Sequence, residues 1–164
     1  MSEDEQSSYK ASKGIEERIA IFLASGFYSG FFPLAPGTVG TLVAIPLYFV
    51  ISRFNSNATY IIITISLLLV GIIVSQKAAR VFRQRDPSLI VVDEMVGFLV
   101  AMFLIEVTWW RLLGAFFIFR FLDIVKPFPV GAVEELGKGI GIMADDLVAG
   151  IYTNIIMHLA IKFL

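Results

Sequence analysis

The stretch GIGIMADDLVAGIYTNIIMHLAIKFL, residues 139–164, gathers its charge at one end: Asp145 and Asp146 stand side by side, and no further charge follows until Lys162. A surface helix of a soluble protein spreads its charges along one face and alternates them with apolar positions. The asymmetry here predicts a membrane helix over 147–161 with the two carboxylates at its entrance. Composition agrees. Hydrophobic residues make up 57% of the 164-residue chain and charged residues only 16%, whereas soluble domains carry about a quarter charged residues.

Working outward from that stretch, four more apolar runs stand at 39–52, 59–75, 95–109 and 112–122. Together they predict an all-α fold, a polytopic membrane bundle of about five embedded helices, the first short enough to be tilted or re-entrant. Residues 1–14 read as a disordered polar tail on the cytosolic side, without the basic start and apolar core of a signal peptide. Residues 15–164 read as a single membrane-embedded catalytic domain. Within it, Ile15, Ile19, Phe22 and Leu23 alternate with Glu16, Glu17 and Arg18 as in an amphipathic helix at the membrane surface. The net charge of -1 leaves no basic footprint for nucleic acid. The absence of cysteine excludes disulfides, thiolate metal sites and cysteine-nucleophile chemistry.

Lysine and arginine orient the bundle. Lys77, Arg80, Arg83 and Arg85 lie between the second and third runs, and Lys126 and Lys138 between the fourth and fifth, against Arg53, Arg111 and Lys162 on the other side. The positive-inside rule puts the 77–92 and 123–146 connections in the cytosol. Asp93 and Glu94 then open the third helix, Asp123 closes the fourth, and Asp145 and Asp146 open the fifth. All five carboxylates fall at one depth on the cytosolic side. Unpaired charge at the headgroup boundary is costly, so each carboxylate needs a cation, a metal or a proton; an all-oxygen set suits Mg²⁺ rather than zinc. Bland readings stand beside this one. An aspartate at a helix start also serves as an N-cap, and Asp123 at a helix end can pair with Arg120 or Lys126. Asp146, Gly150 and Asn154 share one helix face, which also suits plain helix packing.

The Gly- and Pro-rich segment FYSGFFPLAPGT, residues 27–38, interrupts regular helix, and Thr38 is placed to cap the helix that starts at Val39. Backbone N–H groups there, around Gly37, with the hydroxyls of Ser29, Thr38 and Thr41, make a generic anion site. Beside five acids it suggests phosphate.

The segments PLAPGTVGTL, DPSLIVVDEMVG, FRFLDIVKPFPV and GIGIMADDLVAG resemble, in order, the motifs of the phosphatidylglycerophosphatase A family of bacterial membrane proteins. The resemblance covers roughly residues 20–155. It implies a Mg²⁺-dependent phosphatase that converts phosphatidylglycerophosphate to phosphatidylglycerol at the cytosolic face of the inner membrane, with Asp93, Glu94, Asp123, Asp145 and Asp146 as motif acids and Arg120 and Lys126 as motif cations. Phe128 stands where the family commonly has the Trp of KPWP. Metal-assisted hydrolysis fits these residues, with Asp93, Asp123, Asp145 and Asp146 as metal ligands, Glu94 as general base or a further ligand, and Arg120 and Lys126 against phosphate charge. Attack by one of the aspartates, through a phosphorylated enzyme, is an open alternative. The lone His158, near the opposite end of the last helix, is placed too far from the acids to serve a histidine-based phosphatase. A membrane transporter for a cation or small solute is the competing class, although it would set its polar residues near midmembrane and often in repeated halves. A phospholipid substrate and the membrane are the expected partners; the oligomeric state is not encoded in any feature of the sequence.

Overall fold

The computed structural model describes residues 14–130, 133 and 137–163; the N-terminal tail falls outside them. Among the described residues the chain is all-α: α1 (Ile15–Ala24), a 3-10 turn (Ser29–Phe31), α2 (Pro36–Ser52), α3 (Asn57–Phe82), α4 (Val92–Ala101), α5 (Trp109–Val125) and α6 (Lys138–Phe163). Ser56 caps α3 by accepting from the Thr59 N–H at 3.3 Å, and Thr108 caps α5 by accepting from the Arg111 N–H at 3.3 Å. Two helices, α3 and α6, are long and apolar enough to cross a membrane; in α3 only 28% of the apolar window is buried inside the protein, against 50% in α6. The exposed remainder of α3 is a run of Ile61, Ile62, Ile65, Leu69 and Ile73, a surface suited to lipid rather than water.

Several boundaries differ from those read in the sequence. The apolar run at 95–109 is not one helix: α4 ends at Ala101, Leu104 takes a left-handed conformation at φ 59°, and Trp109 and Trp110 open α5 instead of closing α4. At ten residues, α4 is about 15 Å long, half the thickness of a bilayer core. The last helix begins at Lys138, so Asp145 and Asp146 lie two turns inside it rather than at its mouth. Ile142 and Met143 explain the early start, because they bury against Val74 and Ala78 of α3 and draw the preceding residues into the helix. Likewise α2 begins at Pro36 with Ala35 at its N-cap position, which puts Thr38 in the first turn and not at the cap.

The short α4 is the keystone that positions the site, packing most extensively against α6 and also against α2. Its crossing with α6 requires glycine on both sides. A Cβ on Gly97 would lie 2.6 Å from the Asp146 carbonyl oxygen and 2.8 Å from the Phe119 ring, and one on Gly150 would strike the Gly97 carbonyl. The Asp146–Gly150–Asn154 face of α6 is therefore the face that docks on α4. Asn154 completes it by donating from Nδ2 to the carbonyls of Ala101 and Phe103, at 3.0 and 2.8 Å.

Candidate active site

A cleft of about 260 Å³ opens where the start of α2, the 86–90 segment, the first turn of α4, the end of α5 and the second turn of α6 converge. The structure brings Asp93, Glu94, Asp123, Asp145, Asp146, Arg120 and Lys126 into its wall. It also divides them into two groups.

The first group is Asp93, Glu94 and Asp146, each offering one carboxylate oxygen within 4.8 Å of the others. Asp93 Oδ1 accepts the Glu94 backbone N–H at 3.1 Å. Glu94 Oε2 and Asp146 Oδ1 are buried without a hydrogen-bond partner, an expensive condition for a carboxylate. Helix α4 does not span a bilayer, and at its first turn burial pushes the Asp93 carboxyl well above the usual range and the Glu94 carboxyl up to about 7, the latter restrained by hydrogen bonding to Asp93. Three converging carboxylates, two of them with an orphaned buried oxygen, could hold a metal ion, and with neither sulfur nor imidazole among them the set has the chemistry of a hard-cation site.

The second group pairs the remaining acids with the cations. Arg120 Nη1 lies 2.6 Å from Asp123 Oδ2 one turn along α5 and 3.7 Å from Glu94 Oε1. Lys126, left-handed at φ 46°, ends α5, and its Nζ donates to Asp145 Oδ2 at 2.7 Å. The intrahelical pairing of Asp123 with Arg120 foreseen as a bland alternative is thus present. Asp145, a wall residue of the same cleft, keeps one buried oxygen, Oδ1, without a partner.

Of the loop residues, Gly37 belongs to the cleft: a Cβ there would collide with Glu94 Oε1 and lie 3.0 Å from both terminal nitrogens of Arg120, so the α2 backbone can approach only as glycine. Ser29 and Thr38 do not line it. The Ser29 hydroxyl donates to the Ser25 carbonyl at 3.2 Å and the Thr41 hydroxyl to the Gly37 carbonyl at 2.9 Å, both serving local backbone. His158 reaches the Phe103 carbonyl at 3.3 Å, about 18 Å along the helix axis from Asp146. The wall also holds two polar residues outside the sequence-predicted set, Asp86 and Ser88. Their signal was available: Asp86 and Pro87 open the DPSLIVVDEMVG motif, and a proline one residue on turns the chain from α3 back towards α4.

The sequence has recognisable relatives among known proteins. Residues 22–161 match the family model described as Phosphatidylglycerophosphatase A. The chain is 39% identical over 137 residues to the phosphatidylglycerophosphatase A of Haemophilus influenzae, covering 82% of this chain and 84% of that one. It is 33% identical over 138 residues to the phosphatidylglycerophosphatase A of Escherichia coli, covering 83% and 80%. A Bacteroides thetaiotaomicron protein with the provisional name phosphatidylinositol-3-phosphatase is 36% identical over 149 residues, covering 87% and 93%. No solved structure matches the chain. The chain belongs to the phosphatidylglycerophosphatase A family of phosphatases.

Proposed function

We propose that this family member removes the terminal phosphate of phosphatidylglycerophosphate to yield phosphatidylglycerol, with Mg²⁺ held by Asp93, Glu94 and Asp146, at the cytosolic face of a bacterial inner membrane that the chain crosses several times. The observation that carries the reading is the meeting, in one cleft, of three converging carboxylates, two of them with an orphaned buried oxygen, and a cationic edge made by Arg120 and Lys126. When bound, the metal supplies Lewis-acid polarisation of the phosphoryl oxygens and an activated water.

The chain's own residues do the rest. Asp123 and Asp145 hold Arg120 and Lys126 in fixed positions before substrate arrives, so the two cations can meet a phosphate dianion without first being ordered. Glu94 stands between the groups, with one oxygen turned to Arg120 and the other unpartnered, which suits either a ligand or the base that takes the proton of the attacking water. Asp145 Oδ1 is a further donor on the same wall. Burial of the acids keeps bulk water from competing for them. Lys77, Arg80, Arg83 and Arg85 lie at the cleft end of the long α3, and this asymmetry supports the cytosolic orientation.

The test is phosphate release by purified protein from mixed micelles of phosphatidylglycerophosphate, phosphatidylinositol 3-phosphate or phosphatidic acid, with and without Mg²⁺. Mg²⁺-dependent release, fastest from phosphatidylglycerophosphate, is expected. Faster release from phosphatidylinositol 3-phosphate would replace the substrate, and no release from any lipid would leave the transporter reading in its place.

A further inference from the structure

The cleft has two unlike rims. On one side lie the exposed polar residues Arg83, Gln84, Asp86 and Ser88, at the end of α3 and beyond it. On the other, the wall residues of α2 and α5 are bordered by apolar side chains turned outward: Leu34, 73% exposed, just before the Ala35–Gly37 wall, and Ile124 and Phe128, 71% and 87% exposed, on either side of Lys126. Ile124 is not isolated. Phe117, Phe121 and Ile124 follow one another at helical spacing on α5, and Phe128 comes just past the helix end at Lys126; all four are exposed, forming an apolar stripe that starts in the middle of α5 and continues to the chain beside the mouth. Arg120 and Ile124 are i, i+4 neighbours, so the stripe runs along the edge of the cationic wall.

We propose that this stripe, closed at the mouth by Leu34 and Phe128, is the track on which the acyl chains of the lipid substrate lie, so that the phosphate monoester enters the cleft sideways from the bilayer. The proposal rests on the lipid phosphatase reading above. Two features commit the occupant to a phospholipid. The stripe is itself an exposed apolar surface suited to hydrocarbon, and it borders two cations, Arg120 and Lys126, that complement an anionic headgroup. The polar rim at 83–88 then faces the aqueous side, matching the polarity of a lipid molecule from chain to headgroup. Ile65 on α3 is also exposed, but unlike Ile124 it does not adjoin a wall residue of the cleft in the chain, and it serves as the control.

The experiment uses the full chain with Trp109 and Trp110 changed to Phe and a single tryptophan placed by Ile124→Trp, Phe128→Trp or Ile65→Trp. Each protein is reconstituted without Mg²⁺ in vesicles of unbrominated phosphatidylcholine containing a small fraction of phosphatidylglycerophosphate brominated on its chains. Quenching at positions 124 and 128 should exceed that at 65 several-fold, because the substrate's chains are held there rather than diluted in the bilayer. Equal quenching at the three positions would overturn the track. In steady-state assays, Ile124→Ser should raise KM for the long-chain substrate by about tenfold, the equivalent of roughly 1.4 kcal/mol, and leave kcat and the KM of a dihexanoyl substrate unchanged. An equal rise for both chain lengths would also overturn it. If the unaltered protein hydrolyses neither lipid, the function reading fails while the quenching comparison still decides the track.

Discussion

At the C-terminal end of α4, three polar side chains satisfy backbone carbonyls: Tyr60 donates its hydroxyl to the Leu99 carbonyl at 2.6 Å, Tyr48 to the Ile105 carbonyl at 3.0 Å, and Asn154 to the carbonyls of Ala101 and Phe103. Among the described residues, the one buried side-chain oxygen there without a partner is the neutral hydroxyl of Thr64. At the N-terminal end of the same ten-residue helix, Glu94 Oε2, Asp145 Oδ1 and Asp146 Oδ1 are buried and have none. Both ends meet α2 and α6, with α3 added at the C-terminal end and α5 at the N-terminal end. One end uses neutral donors to satisfy carbonyls left over where α4 stops; the other concentrates negative charge that the protein does not neutralise by itself. Satisfied polar groups hold the fold, and a cluster of charged oxygens left wanting marks a place suited to a cation.

Substitutions at the two ends should separate these roles. The largest effect is expected for Asp146→Asn, which keeps the shape of the side chain and removes its charge: phosphate release should fall by about a thousandfold or more, while thermal stability in detergent holds or rises because an uncompensated buried carboxylate has gone. Loss of stability in step with activity would make Asp146 structural, like Asn154. Gly97→Ala tests whether the two ends share one geometry. A Cβ there presses on the Asp146 carbonyl and the Phe119 ring, which should cost about 1–3 kcal/mol of stability and lower turnover without changing any acid, as read by thermal unfolding and phosphate release on the same preparation. The smallest change in activity is expected for Asn154→Leu, which removes two hydrogen bonds and leaves two carbonyls wanting. It should lower stability by about 1–3 kcal/mol with turnover nearly intact; a collapse in turnover would mean that the far end takes part in the site.

Much of the site was legible because carboxylates are conspicuous in apolar sequence. Asp93, Glu94, Asp123, Asp145 and Asp146 stand out against 57% hydrophobic residues, and lysine and arginine positions indicated which ends belong together. The division of the acids was not legible, since spacing along the chain does not say that Lys126 turns back through a left-handed residue to meet Asp145. Hydrophobicity alone misjudged the helix ends as well. The run at 95–109 stays apolar through the turn at Leu104, where the backbone reverses with no Gly or Pro to announce it, and α6 extends backwards past Asp145 because Ile142 and Met143 have a partner face on α3 that the local sequence does not reveal. The hydroxyl of Ser29 suggests a phosphate contact in the sequence, yet in the structure it serves the turn in which it sits.

The central claim, that the unpartnered carboxylates at the N-terminal end of α4 hold a divalent cation, is tested most directly by titrating the purified protein in detergent with Mn²⁺ as a paramagnetic stand-in for Mg²⁺ and following the signal of the free ion by electron paramagnetic resonance. The account predicts saturable uptake that Mg²⁺ displaces, that Asp146→Asn abolishes, and that Asn154→Leu leaves unchanged. Uptake by Asp146→Asn equal to that of the unaltered protein, or no saturable uptake at all, would contradict it.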